Sequence, residues 1–392
     1  MVTLTEKTHR FETLRALTMQ NPRLIEIMSA VLLLFPFATK SRGDALDTWT
    51  LQTSGTTNHL FGIANGNNTF VAVGTNGIIL KSPDGVAWAQ QTSVTTNDLN
   101  TVAFGNGSFV AAGSFGTILT STNGSTWVSQ NSGFASSFQD LAYQNGLFFA
   151  VGYAGTIKSS SDGVNWTNHV SGITNSLHTI RYASGNFSAA GYKGAMVSSA
   201  DGNTWAVNSS GVASTLYAST YGYGAYLVMG YQGIMIASPD GNVWSGRASS
   251  STNTLRSAIN LNGTFVVTGL RGTILTSRDG VVWTNRSSGS VAALRSVAYG
   301  SDALVVVGND GTILKSGTIP VPARLTDPSW LTNTFSFSFI SQSGLTYDVQ
   351  YKNTLNDTNW TLLRSVLGNG SVLKINDPTA SGISRFYRIS TQ

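Results

Sequence analysis

A step of 39 residues governs most of this chain. SPDGVAW at Ser82–Trp88 is followed by STNGSTW (Ser121–Trp127), SSDGVNW (Ser160–Trp166), SADGNTW (Ser199–Trp205), SPDGNVW (Ser238–Trp244) and SRDGVVW (Ser277–Trp283), each starting 39 residues after the last. The step also holds for Leu60, Leu99, Phe138, Leu177, Leu216, Leu255 and Leu294, and for Gly74, Gly113, Gly152, Gly191, Gly230, Gly269 and Gly308. A third column is aromatic or apolar: Phe70, Phe109, Phe148, Phe187, Tyr226, Phe265 and Leu304. A repeat of this size is one supersecondary unit that cannot bury its own faces, so copies must stack.

Within the second copy, four short strands are predicted, roughly Leu99–Phe104, Ser108–Ala112, Thr117–Ser121 and Trp127–Asn131, divided by NG, GSFG and TNG turn signals. Four-stranded units repeated around a ring are the blades of a β-propeller, and the Leu column counts seven. The seventh copy stops at Gly317 without its last strand, while Trp49 lies one step before Trp88. The expected fold is therefore all-β, a seven-bladed propeller over 46–317 in which the N-terminal strand completes the last blade. That closure removes the open sheet edges that invite association.

Composition agrees with this class. Of 392 residues only 10% are charged, against about 25% in ordinary domains, while 41% are hydrophobic, which argues against both a coiled coil and disorder. There is no Cys, hence no disulfide framework and no thiolate chemistry. Six of the 23 Lys and Arg precede Ala45, and the remainder carries 17 basic residues against 14 Asp, with no Glu after Glu26. So mild and dispersed a charge excludes nucleic acid as the expected partner.

The segment IMSAVLLLFPFA (Ile27–Ala38), behind Arg15 and Arg23, reads as the apolar core of an export signal. It is shorter than the roughly 20 apolar residues of a membrane span. Residues 1–45 are expected to be a leader, translated from Met1, Met19 or Met28 and cut after Ala45 or Ala38. The mature protein is then periplasmic, secreted or on the cell surface, without a membrane span, and a monomer.

The S-x-D-G-x-x-W element resembles the Asp-box (BNR) repeat, over Trp49 to about Ser316. A carboxylate in such a turn accepts backbone N–H groups, and Gly supplies positive φ. Asp84, Asp162, Asp201, Asp240 and Asp279 are expected to be structural, with Asn123 as an uncharged substitute. Families sharing the repeat include sialidases, xyloglucan-cleaving glycosidases, sortilin-like receptors and photosystem II assembly-factor-like proteins. The 39-residue spacing and the G-x-x-G-T-I-L segments are most similar to the last group.

After Gly317 the period is lost. Residues 318–324 (TIPVPAR) read as a linker, and FSFSF (Phe335–Phe339), YDVQYK (Tyr347–Lys352), WTLL (Trp360–Leu363), SVLKIND (Ser371–Asp377) and RFYRIS (Arg385–Ser390) as short strands. A small antiparallel β-sandwich over 325–392 is expected. It resembles the fibronectin type III-like modules at the C-termini of exported bacterial proteins.

The G-x-x-G tips and the positions after the Leu column vary on a fixed frame and share the face opposite the Asp turns. The tips are Thr75–Asn76, Ser114–Phe115, Tyr153–Ala154, Tyr192–Lys193, Tyr231–Gln232, Leu270–Arg271 and Asn309–Asp310. The other set is Phe61, Asn100, Gln139, His178, Tyr217, Arg256 and Arg295. A binding face is expected there, with Phe115, Tyr153, Tyr192, Lys193, Tyr231, His178, Arg256, Arg271 and Arg295 holding a carbohydrate or an extracellular or periplasmic protein. Flat aromatics stack on rings, and Arg donates in pairs to carboxylates. A sialidase, as the resemblance would imply it, needs a Tyr nucleophile activated by Glu, and the mature chain has none. A glycosidase needs two spaced carboxylates, for which Asp98, Asp140 and Asp310 are the alternative catalytic candidates. The four His are dispersed (His9, His59, His169, His178), so no metal site and no cofactor are expected. A purely structural surface repeat is the third reading.

Overall fold

A computed structural model describes residues 44–392 apart from 321–322, 324, 332–333, 343–344, 355, 381–384 and 392. The expected export segment lies outside the described residues. The described chain forms two compact units, one ending at Ile319 and the other beginning at Pro320.

The first unit holds seven four-stranded antiparallel sheets. In the second, the strands are Leu99–Gly105, Ser108–Gly113, Ile118–Ser121 and Val128–Gln130, within a residue or two of those read from the sequence. The first strands of consecutive sheets touch in a closed cycle that returns from Leu294–Gly300 to Leu60–Gly66. They therefore surround the axis of a ring. The seventh sheet is completed by Trp49–Gln52, which pairs with Ile313–Ser316 from Trp49↔Ser316 to Gln52↔Ile313. Asp44 and Ala45, read from the sequence as leader, join this closure: Arg286 reaches Asp44 and Asp47, and the Gly317 N–H lies 2.9 Å from the Ala45 carbonyl. At the other end of the unit, Ile319 packs against the core of the last two sheets.

The core lies between sheets, where the Leu column is fully buried. A Ser column, Ser54, Ser93, Ser132, Ser171, Ser210, Ser249 and Ser288, also keeps the 39-residue step, and all but the half-buried Ser93 are buried. The hydroxyls of Ser132, Ser210 and Ser249 donate to the carbonyls of Gly116, Gly194 and Gly233 at 2.6, 2.7 and 2.6 Å. They tie the loops that leave the second, fourth and fifth sheets to the G-x-x-G tips of those sheets. Gly116 sits at φ +68°, and a side chain there would run into the Phe134 carbonyl, so only Gly allows the approach.

Each S-x-D-G-x-x-W segment forms the same turn. The Asp201 carboxylate accepts the N–H groups of Asn203 and Thr204, both at 2.8 Å, and the Ser199 hydroxyl at 2.9 Å. Asn123 does the same for Ser125 and Thr126 at 2.8 and 2.9 Å. The Thr204 and Asn203 amides hold the Asp201 pKa down at about 2. Because the folded value lies below the ordinary one, this contribution to stability is complete above the ordinary carboxylate range and is lost as pH falls towards the folded value. Asp201→Asn is expected to keep the neutral-pH melting temperature and to soften its fall between about pH 4 and pH 2, whereas Asp201→Ala lowers it at both. Equal losses in the two variants at neutral pH would refute the turn's hydrogen-bond role.

The second unit contains two three-stranded antiparallel sheets, Thr326–Leu331 with Thr334–Ile340 and Val372–Asp377, and Thr361–Leu367 with Thr346–Lys352 and Phe386–Thr391. Thr326–Leu331 is a strand the sequence reading did not assign. Phe337, Phe339, Tyr347, Val349, Ile375 and Tyr387 share its core. Asp377 is fully buried there: burial alone would raise its pKa, but bonds from Tyr387, Thr379 and Arg385 outweigh it and keep the carboxyl low.

Candidate functional site

The backbone places the variable residues before their chemistry matters. In sheets one to six, and again in seven, pairing slips by one residue immediately after the Leu column, as between Leu60↔Gly74 and Gly62↔Val73. Phe61, Asn100, Gln139, His178, Tyr217, Arg256 and Arg295 are thus the bulged residues. A bulge re-aims a side chain and bends the strand. Here it does so seven times, at the tip-side end of the strands that surround the axis.

Five of these positions touch or sense one another. His178 and Tyr217 have ring centroids 5.3 Å apart, and the Arg256 guanidinium lies 3.9 Å from the Tyr217 centroid. Arg295 stands 5.7 Å from the Phe61 ring and donates through Nε to Asn309 Oδ1 at 2.9 Å. Phe61 in turn lies 6.2 Å from His59. Burial and the charge of Arg256 push His178 down to about 4, so it is neutral at physiological pH. Burial lowers Arg256 and Arg295, and Arg295 is further lowered by Arg256. Neither guanidinium is ion-paired among the described residues, and Arg256 Nε is buried without a hydrogen-bond partner. Two half-desolvated cations side by side repel, and a shared anion would satisfy both.

Around this mouth stand the tips. Their second residues, Asn76, Phe115, Ala154, Lys193, Gln232, Arg271 and Asp310, all adopt left-handed backbone with φ between 52° and 56°. That costs about 1 kcal/mol or more per non-glycine residue. Phe115 is 74% exposed, and Tyr153, Tyr192 and Tyr231 are about half exposed, so aromatics line four consecutive tips. Lys193 Nζ lies 5.4 Å from the Tyr192 ring. Arg271 lines a separate cavity beside the sixth tip.

The three candidate acids are on different seams, each engaged with backbone. Asp98 Oδ1 accepts the Asn76 N–H at 2.8 Å, so it clamps the preceding tip. In the same slot, His59 Nδ1 accepts the Asp310 N–H at 3.0 Å and Thr254 Oγ1 the Gln232 N–H at 3.3 Å. Asp310 keeps its carboxylate 3.4 Å from His59 Nδ1. Asp140 accepts the N–H groups of Leu141 and Ile180 at 2.9 and 3.0 Å. It thereby caps the unpaired inner edge of the next sheet, and burial raises its pKa despite those bonds. Sequence reasoning missed these clamps, and it left Tyr217 and Phe61 out of the expected site. No group of three or more metal-ligating side chains occurs among the described residues, nor any helix long and apolar enough to cross a membrane.

A closed ring of four-stranded antiparallel sheets with a variable face at one mouth defines a β-propeller. No protein-family model and no curated protein matches this sequence. Among solved structures, 69% of the chain is similar to YCF48 bound to D1 peptide, with TM-score 0.58 and 18% identity over 97% of that chain. The same share is similar to YCF48 from Cyanidioschyzon merolae, with TM-score 0.57 and 17% identity over 98% of that chain. Virginiamycin B lyase from Staphylococcus aureus gives 0.59 and 11% identity over its full length. At these identities the likeness establishes the propeller fold.

Proposed function

We propose that this chain is an exported seven-bladed propeller of the Asp-box type, whose tip-side mouth binds an acidic or carboxylate-ended segment of a partner protein. One observation carries the reading: bulges bring Tyr217, Arg256, Arg295 and Phe61 together as unpaired cations on aromatic faces. Buried aromatics and Arg are the side chains that dominate binding energy at protein interfaces. The exposed Tyr153, Tyr192, Tyr231 and Phe115 extend the contact beyond the mouth. A propeller of the same fold is known with a peptide bound, which supports a polypeptide ligand. The glycosidase alternative is less favoured, because Asp98, Asp140 and Asp310 each serve a backbone group on a separate seam. The second unit reads as a fibronectin type III-like spacer.

The test is a peptide array carrying free and amidated C-termini and acidic and neutral sequences. Free or acidic peptides are expected to bind, and Arg256→Gln with Arg295→Gln to weaken them at least about tenfold, the scale of a charge-assisted bidentate contact, with little change in melting temperature. Binding that ignores peptide charge, or survives the double variant, would overturn the reading. Polysaccharide turnover abolished by Asp98→Asn, Asp140→Asn or Asp310→Asn would favour the glycosidase.

A further inference from the structure

The cavity beside the sixth tip, about 350 Å³, is lined mainly by polar residues, among them Arg271, Asn253, Asn285, Ser250 and Ser287, with Leu275 and Val291 also in its wall. It shares no residue with the mouth cluster. A second cavity, about 520 Å³, lies beside the first tip and is lined by Asn58, Asn76, Gln90 and Thr92. These four positions are five repeats before Asn253, Arg271, Asn285 and Ser287. The two cavities are therefore one repeat-encoded niche, between a tip and the loop leaving the outer strand. The first copy is neutral, and the sixth carries a cation.

The sixth niche is built rather than incidental. Arg271 is held in left-handed backbone at φ 56°, with its flanks fixed by Leu270 N–H to Thr254 O at 2.9 Å and Gly272 N–H to Ala292 O at 2.7 Å. The Asn253 amide donates to Thr273 Oγ1 at 2.9 Å, and that hydroxyl donates to Leu270 O at 2.7 Å. Among the described residues, no hydrogen bond takes the side chains of Arg271, Asn285 or Ser287. Arg286, the other cation in the lining, is taken by Asp44 and Asp47. The niche thus offers one free guanidinium beside the unused Asn285 amide and Ser287 hydroxyl.

We propose that this niche is a binding site for a carboxylated sugar, a hexuronate-type ring whose carboxylate pairs with Arg271 while its hydroxyls meet Asn285, Ser287 and Asn253. The volume is at the small end of the roughly 300–1,000 Å³ of ligand sites, sufficient for a single ring. One available cation matches a monoanion, whereas phosphate groups are ordinarily held by several donors of like charge. The amide and hydroxyl lining, broken only by Leu275 and Val291, matches a ligand that is polar around most of its edge and carries some C–H surface, as a sugar ring does. The guanidinium gives a bidentate contact that a lysine could not reproduce.

The experiment uses the full chain with galacturonate, oligogalacturonate, galactose and inorganic phosphate as probes, read by calorimetry and ligand-observed NMR. Galacturonate is expected to bind more tightly than galactose or phosphate. Arg271→Gln should weaken it at least about tenfold and Arg271→Lys by less, with unchanged melting temperature. Arg247→Gln, an exposed Arg on the outer strand of the fifth sheet, should leave it unaltered. Absence of millimolar uronate binding, binding retained in Arg271→Gln, or phosphate binding as tightly as uronate would each overturn the assignment.

Discussion

Removal of residues 44–52 is expected to cost the propeller about 5 kcal/mol or more and to lower its melting temperature by about 10–20 °C. The segment is short, but each residue is used. Trp49–Gln52 supplies the fourth strand of the seventh sheet, so its loss exposes Ile313–Ser316 as a bare edge. Leu46 is 7% exposed and packs with Trp49 against Val266, Leu304, Val306 and Leu314. Burying one such aliphatic side chain contributes about 1.5–3 kcal/mol. The Trp49 indole N–H donates to the Leu46 carbonyl at 3.0 Å, and the Gly317 N–H lies within 3.0 Å of both the Ala45 and Thr48 carbonyls. By contrast, Asp44→Asn with Asp47→Asn is expected to cost only about 1 kcal/mol, because both carboxylates are well exposed and their pairing with Arg286 is screened by solvent. Differential scanning calorimetry separates the two effects. A truncated protein that melts within a few degrees of the full chain would show that the ring does not depend on this closure.

The contrast between that strand and the binding face shows what a repeat makes legible. Trp49 is readable as a closing strand because it stands one 39-residue step before Trp88 and the seventh copy lacks a partner. Burial enforces the Leu, Gly and Phe columns, so residue type reports their place. The bulges leave no such trace: Phe, Asn, Gln, His, Tyr and Arg all occupy the bulged position, because the slip is a property of backbone pairing. The left-handed tips are equally silent, since Phe115, Lys193 and Arg271 adopt a conformation that sequence reasoning assigns to Gly or Asn. Asp98 and Asp140 are visible as acids outside the Asp turns, but their capping of Asn76 and Ile180 depends on a neighbouring sheet. The Ser column was present at full period. Ser is so common in turns that its type alone did not mark it as buried.

Replacing Lys158 with Leu is expected to stabilise the propeller by about 2 kcal/mol, raising the melting temperature by about 4–8 °C. Lys158 occupies a position that every other sheet fills with an aliphatic: Leu80, Leu119, Val197, Ile236, Leu275 and Leu314, all between 0% and 1% exposed. The register is the same throughout, Lys158 facing Ala150 as Leu119 faces Ala111 and Leu80 faces Ala72. At 6% exposure its stem is buried, with the ammonium coming up beside Gly133. No hydrogen bond or ion pair takes that ammonium among the described residues, and burial lowers its pKa. A cation held in this way is tolerated because a long stem carries it to the surface, yet it is never compensated. Leu restores the apolar contact without overfilling the site. The gain should depend on pH. Since the folded pKa lies below the ordinary lysine value of about 10.4, the folded protein sheds the proton first, and the wild-type chain recovers stability as pH rises through that window. The advantage of Lys158→Leu is therefore full at neutral pH and shrinks in alkali, while Lys158→Met, which retains an unbranched stem, should give most of the same gain. A melting temperature at pH 7 equal to or below that of the parent in both variants would show that the ammonium contributes an interaction outweighing its burial.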